Sequence, residues 1–237
     1  MSLLDVWVNK SRILLGVDTE LRRPGGEELA GYSASKFLYL PRLNALLAGA
    51  GWLSLHQFTR NWCESRLDLD LDGLIDALPG ELPHLFEQFV KHETALGAPD
   101  STDLDAQHLV LLGWSTRHAS MIGRQWVQTS RKAGFEGGSI EPYFVSPGGA
   151  EMRSTPAPNT VGRMVELARA QRDWVRQYRP DAPAGGRFIV AELTRRRCVI
   201  EDVFDLDADA GYPAESERAV FAPSGVFGRP SGARFGG

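Results

Sequence analysis

The chain has 237 residues, 43% of them hydrophobic and 24% charged, with a formal net charge of -4. That suits a soluble domain with a substantial core, and the slight acidity removes any electrostatic reason to expect nucleic acid or an anionic membrane as a partner. Cys63 and Cys198, the two cysteines, lie outside any CxxC pattern, so a reduced cytoplasmic setting is expected rather than a disulfide framework.

The start, Met1-Ser2-Leu3-Leu4-Asp5, lacks a basic region followed by a long apolar one, so no targeting segment is expected. No run approaches the roughly 18 apolar residues of a membrane span. The first fifty residues are predicted to be strands. Ser2 to Val8 and Arg12 to Asp18 are apolar stretches around Asn9-Lys10-Ser11, a hairpin-turn composition. Leu21 to Ala34 contains Arg22-Arg23-Pro24-Gly25-Gly26 and is predicted to be a polar loop. Lys36 to Leu40 and Asn44 to Ala48 form a second hairpin turned at Pro41-Arg42, giving four short strands in meander order.

Helices follow. Trp52 to Arg66 carries Trp52, Leu55, Phe58, Trp62 and Cys63 near the helical period. Leu71 to Leu96 is apolar at Leu74, Ile75, Leu78, Leu82, Leu85, Phe86, Phe89 and Val90, and Pro79-Gly80 with Pro83 predicts a short helix, a break and a longer helix. Ala98 to Asp105 is a polar linker. Strands return at His108 to Trp114, Ala119 to Thr129 and Ile140 to Val145, before a loop from Pro147 to Asn159. Thr160 to Tyr178 is a helix ended by Pro180, and Arg187 to Leu193 with Cys198 to Phe204 makes a last hairpin. Residues 1–209 form one domain on this reading. Residues 210–237, rich in Gly, Pro, Ser and Ala, form a flexible tail or an arm docked elsewhere. Hairpins flanked by helical layers argue for an α+β fold with antiparallel sheets.

Two stretches suggest chemistry on their own. Gly49-Ala50-Gly51-Trp52-Leu53-Ser54 follows a strand and opens a helix, as a dinucleotide-binding turn does, with Asp68 and Asp70 about twenty residues on. The hairpin order opposes that alternative, because a dinucleotide unit needs crossovers. Gly113-Trp114-Ser115-Thr116-Arg117-His118 brings a serine near a histidine but joins two strands and lacks the second glycine of a nucleophile elbow, so a polar turn is expected. The five histidines show no metal-ligand spacing. No metal and no cofactor are expected.

The more informative pattern is at the beginning. Ser2 heads one strand, Asp18 ends the next sixteen residues later, Lys36 opens a third, and a fourth closes in Ala48-Gly49-Ala50-Gly51. Asp181-Ala182-Pro183-Ala184-Gly185-Gly186 precedes the last hairpin. With the element order, these motifs resemble the N-terminal-nucleophile hydrolases, and among them the proteasome β-subunits and their bacterial Anbu-like relatives. The resemblance spans most of residues 2 to 205 and implies a four-layer αββα sandwich of two antiparallel sheets flanked by helices. It further implies a peptidase or amidase in which Ser2, freed by removal of Met1, is the nucleophile. Lys36 would sit beside it, Asp18 would hold Lys36, the Gly49 N–H would face the oxyanion, and Asp181 would orient the N-terminus. A peptide or small amide substrate and a homo-oligomer are implied as partners. The sequence departs from the family in having serine where proteasome-like members usually have threonine, Ala184 in the Asp-x-x-Ser-Gly-Gly segment, and Pro147 near the Gly-Ser-Gly turn, with Ser146 one position off. A catalytically silent subunit of the same fold, used in assembly, is therefore the alternative.

Overall fold

The computed structural model describes residues 3–22, 28–33, 36–96, 107–130, 132–147, 157–179, 184–206 and 218–221. Period-two alternation of apolar residues builds two antiparallel sheets from these segments. β1 (Leu4–Val8) and β2 (Arg12–Asp18) form a hairpin. Its turn is held by Asn9 Oδ1, which accepts from the backbone amides of Ser11 and Arg12, both at 2.8 Å. The other strands of this sheet are β10 (Tyr143–Ser146), β11 (Arg187–Thr194), β12 (Arg197–Asp205) and β13 (Arg218–Phe221), in the order β10-β1-β2-β11-β12-β13. The second sheet runs in chain order: β5 (Phe37–Leu40), β6 (Ala45–Ala50), β7 (Gln107–Ser115), β8 (Ser120–Gln128) and β9 (Glu136–Ser139). β3 (Glu20–Arg22) and β4 (Glu28–Ser33) pair only with each other.

The alternation sorts each strand's side chains between two cores. Leu4, Val6, Ile13, Leu15, Val17, Leu46, Ala48, Ala191 and Leu193 meet between the sheets. From the same strands, Leu3, Leu14, Phe188 and Val190 turn the other way and pack against Met164, Val165, Ala168 and Val175 of helix α3 (Val161–Tyr178). Ala45 and Leu47 likewise turn outward, against helices α1 (Leu53–Ser65) and α2 (Leu71–Ala95). The layers are thus α1 and α2, the five-stranded sheet, the six-stranded sheet, and α3. This is the expected αββα sandwich.

Several local expectations are corrected. The break at Pro79-Gly80 and Pro83 does not occur, and α2 is one helix of 25 residues. Both prolines are exposed, off the face on which Leu74, Leu78, Leu82, Leu85 and Phe89 continue the buried stripe past them. The polar loop expected over 21–34 contributes strands β3 and β4. The first strands are no single meander, since β1-β2 and β5-β6 lie in different sheets. Within the stretch expected as a flexible tail or a docked arm, residues 218–221 form β13, which pairs with β12 and sets Phe221 against Tyr39 with ring centroids 5.3 Å apart. The linker at 98–105 lies outside the described residues.

Candidate functional site

The first described backbone amide is already part of a polar cluster. Leu3 N–H donates to Asp18 Oδ1 at 2.9 Å, and the Lys36 ammonium donates to the same oxygen at 2.7 Å. The β1-β2 register brings this about, for Leu4 lies opposite Val17 and so Leu3 reaches the last residue of β2. Lys36 arrives from the other sheet, at the head of β5. Asp18 is 0% and Lys36 5% exposed, so this is an ion pair out of water. Burial pushes the Asp18 carboxyl above its ordinary value, while the Lys36 charge, its hydrogen bond and the Leu3 N–H pull the other way. Two N–H donors converging on one oxygen are what an ionised carboxylate accepts.

Gly49 joins the cluster through the backbone, where its N–H donates to the Lys36 carbonyl at 3.3 Å. A side chain at 49 would collide with the His108 carbonyl and with Nε2 of His56, so glycine is required by close approach rather than by its torsion angles. His56, on the first turn of α1, is 3% exposed, and neither ring nitrogen has a hydrogen-bond partner. Burial lowers its pKa from 6.5 to about 4; the Lys36 charge adds to this, and the nearby His108 carbonyl opposes it without closing a bond of good geometry. His56 is a neutral imidazole beside a buried ammonium.

A second buried carboxyl group stands two residues beyond Leu3. Asp5 Oδ1 accepts from Gln171 Nε2 of α3 at 3.0 Å, and the same nitrogen donates to the Pro147 carbonyl at 3.2 Å. Pro147 follows Ser146, which lies opposite Leu4 in the β10-β1 pairing. The turn beyond β10 therefore lies at the same end of the sheet as the start of β1.

Of the residues expected at the site, Asp18, Lys36 and Gly49 come together as described. Ser2 and Asp181 lie outside the described residues. Ala184 is buried in the core beneath α3, with Leu3 and Phe188. The Ser115–His118 stretch is a clasped hairpin turn. Ser115 Oγ donates to Asp72 Oδ1 at 2.6 Å, Arg117 N–H to Asp72 Oδ2 at 2.9 Å, and His118 N–H to Ser115 Oγ at 3.0 Å. Its serine thus faces a carboxylate at the start of α2.

The dinucleotide alternative is corrected. β6 is antiparallel to both β5 and β7, so no crossover unit exists there. The opening of α1 is also closed, since Trp52 N–H donates to Gln107 Oε1 at 3.0 Å and that side chain fills the space beside Gly51. Asp5, His56 and Gln171 were not singled out from the sequence. Each is a polar residue on an otherwise apolar face, and His56 completes a buried row with Leu55, Thr59 and Cys63. Among the described residues, no helix is long and apolar enough to cross a membrane.

No protein-family model and no curated protein sequence matches the chain. Among solved structures, it is similar to Anbu (ancestral beta-subunit) from Yersinia bercovieri, with a TM-score of 0.53 at 13% identity over 82% of each chain. An Anbu (Gly-1) mutant from Hyphomicrobium sp. strain MC1 gives 0.51 at 11% identity, covering 94% of this chain and 88% of that one. Anbu from the same strain gives 0.50 at 10% identity over the same shares. At such identities the likeness is one of fold: the sandwich shares the fold of Anbu.

Proposed function

We propose that this chain, built on the Anbu fold, is an N-terminal-nucleophile hydrolase acting on a peptide or small amide, with Ser2 as nucleophile after removal of Met1. The observation that carries this reading is the buried Asp18–Lys36 pair, with Asp18 also fastened to the amide of Leu3, the residue bonded to Ser2. A serine hydroxyl needs an adjacent base. The α-amine of a first-residue serine is such a base, with an ordinary pKa near 7.7–8 that a neighbouring ammonium lowers.

In the proposed reaction the Ser2 hydroxyl oxygen bonds to the amide carbon while its proton passes to the α-amine. The carbon–nitrogen bond then breaks, and the leaving amine takes that proton. Water attacks the resulting ester through the same amine and releases the acid and the free hydroxyl. Asp18 keeps the Lys36 ammonium charged and directed, and Asp181 is proposed to orient the N-terminus. An oxyanion role for Gly49 requires its N–H to exchange the Lys36 carbonyl for the substrate oxygen.

That last requirement favours a second reading, a catalytically silent subunit of a homo-oligomer, because the Gly49 amide is occupied at 3.3 Å. Intact mass and labelling with an electrophile that traps N-terminal nucleophiles separate the two. Loss of Met1 with an adduct mapped to Ser2, absent in Ser2→Ala and reduced in Lys36→Met, supports the hydrolase. Retained Met1, or unlabelled wild type, supports the silent subunit, for which size in solution is the remaining test.

A further inference from the structure

Among the described residues, the region around β1 holds buried acceptors without a donor. Asp5, Asp18 and Gln171 are each 0% exposed. Asp5 Oδ2, Asp18 Oδ2 and Gln171 Oε1 have no hydrogen-bond partner among the described residues. The Gln171 amide cannot be turned over to relieve this, because its nitrogen already faces two acceptors, Asp5 Oδ1 and the Pro147 carbonyl. The Asp5 carboxyl also feels the charge of Asp18, whose Oδ1 holds the Lys36 ammonium. Orphaned acceptors and two like charges facing each other in a low-dielectric interior are both costly. One proton between Asp5 and Gln171 removes the like charge and answers two of the three acceptors.

We propose that Asp5 carries a proton in the folded protein, placed on Oδ2 and shared with Gln171 Oε1 as an acid–amide pair, and that this pair is a positioning element of the candidate site. The neutral acid ties α3 to the turn at Pro147 through Gln171, and it removes a like charge facing Asp18. The groups acting on Asp5 agree with this. Burial raises its pKa well above the ordinary carboxylate value, the Gln171 hydrogen bond works against that, and the Asp18 charge on β2 adds to the rise. From α3 the facing group is the uncharged Gln171, and from the turn after β10 it is a carbonyl. The proton on Asp5 stands whether or not Ser2 reacts; only its bearing on catalysis rests on the reading proposed above.

The test is Asp5→Asn, which keeps an acceptor towards Gln171 Nε2 and sets an N–H donor where the proposal sets the proton. A protonated-acid carbonyl band is expected in the infrared spectrum of the wild type at neutral pH and is lost in the variant. The sign of the pH dependence follows from the same proton. The folded protein keeps it while the unfolded chain releases it in the ordinary carboxylate range, so wild-type stability falls as pH rises from that range to the folded value. Asp5→Asn removes that fall and has a folding constant at neutral pH at least equal to wild type. No such band, or a tenfold or larger loss of the folding constant in Asp5→Asn at neutral pH, overturns the proposal. Labelling of Ser2 reports separately: a band without labelling removes the hydrolase and keeps the proton, and labelling without a band does the reverse.

Discussion

Acid should destabilise this protein through His56, by an amount the structure lets one estimate. The imidazole is neutral and buried, with its pKa lowered from 6.5 to about 4. Between those values the unfolded chain takes up a proton that the folded protein refuses. The stabilisation associated with His56 is complete above pH 6.5, falls with pH, and is exhausted near pH 4. At ~1.36 kcal/mol per pKa unit, the loss across the window is about 3 kcal/mol, a large share of the 5–15 kcal/mol typical of a folded domain. The assay is urea unfolding at a series of pH values, comparing wild type with His56→Gln, which is neutral throughout. Asp5 and His108 also titrate, but they do so in both proteins and cancel in the difference. The wild-type curve should fall more steeply below pH 6.5, the two converging towards or crossing each other by pH 4. Parallel curves would refute the reasoning, since they mean that the imidazole is solvated or charged in the folded state.

Other outcomes follow from neighbouring residues. Lys36→Met leaves Asp18 buried without its cation and should cost about 3–5 kcal/mol in denaturant unfolding; adding Asp18→Asn should recover much of this, and purely additive losses would contradict the pairing. Gly49→Ala drives a methyl group into the fixed His108 carbonyl and should cost ~1–3 kcal/mol or more by the same measurement. Gly80→Ala, in a helix with nothing within 4 Å of the added carbon, should instead stabilise by about 0.5–1 kcal/mol. Asp72→Ala strips the 115–117 turn of its acceptors and should lower the thermal midpoint by a few degrees, roughly what about 1–3 kcal/mol produces in a chain of this size.

Most of the sandwich is legible in the sequence because its strands are buried on one or both faces. β2 and β11 have to alternate between the inter-sheet core and α3, and that demand writes period two into Ile13-Leu14-Leu15 and Phe188 to Leu193. β3 and β4 form a two-stranded pair apart from the large sheets among the described residues, and in the sequence the Arg-Pro-Gly run between them dominates the reading. The prolines of α2 mislead for a related reason. Proline's cost in a helix falls on the backbone, and its size depends on whether the freed carbonyl meets water, which periodicity does not disclose. At the site, Asp18 and Lys36 stand at strand ends and could be picked out by position. Asp5 and His56 could not, because a polar residue on a buried face has meaning only through its partner, and the partner of Asp5 is 166 residues away.

The two solvent-facing prolines also divide α2 by cohesion. The half before Pro79 is fastened at Asp72 to the β7-β8 turn, whereas the half after Pro83 is held chiefly by side-chain packing. With two amide protons missing between them, the later half can fray without pulling on the earlier one. Amide exchange should therefore run faster over residues 84–95 than over 71–78, and limited proteolysis should begin in that later half.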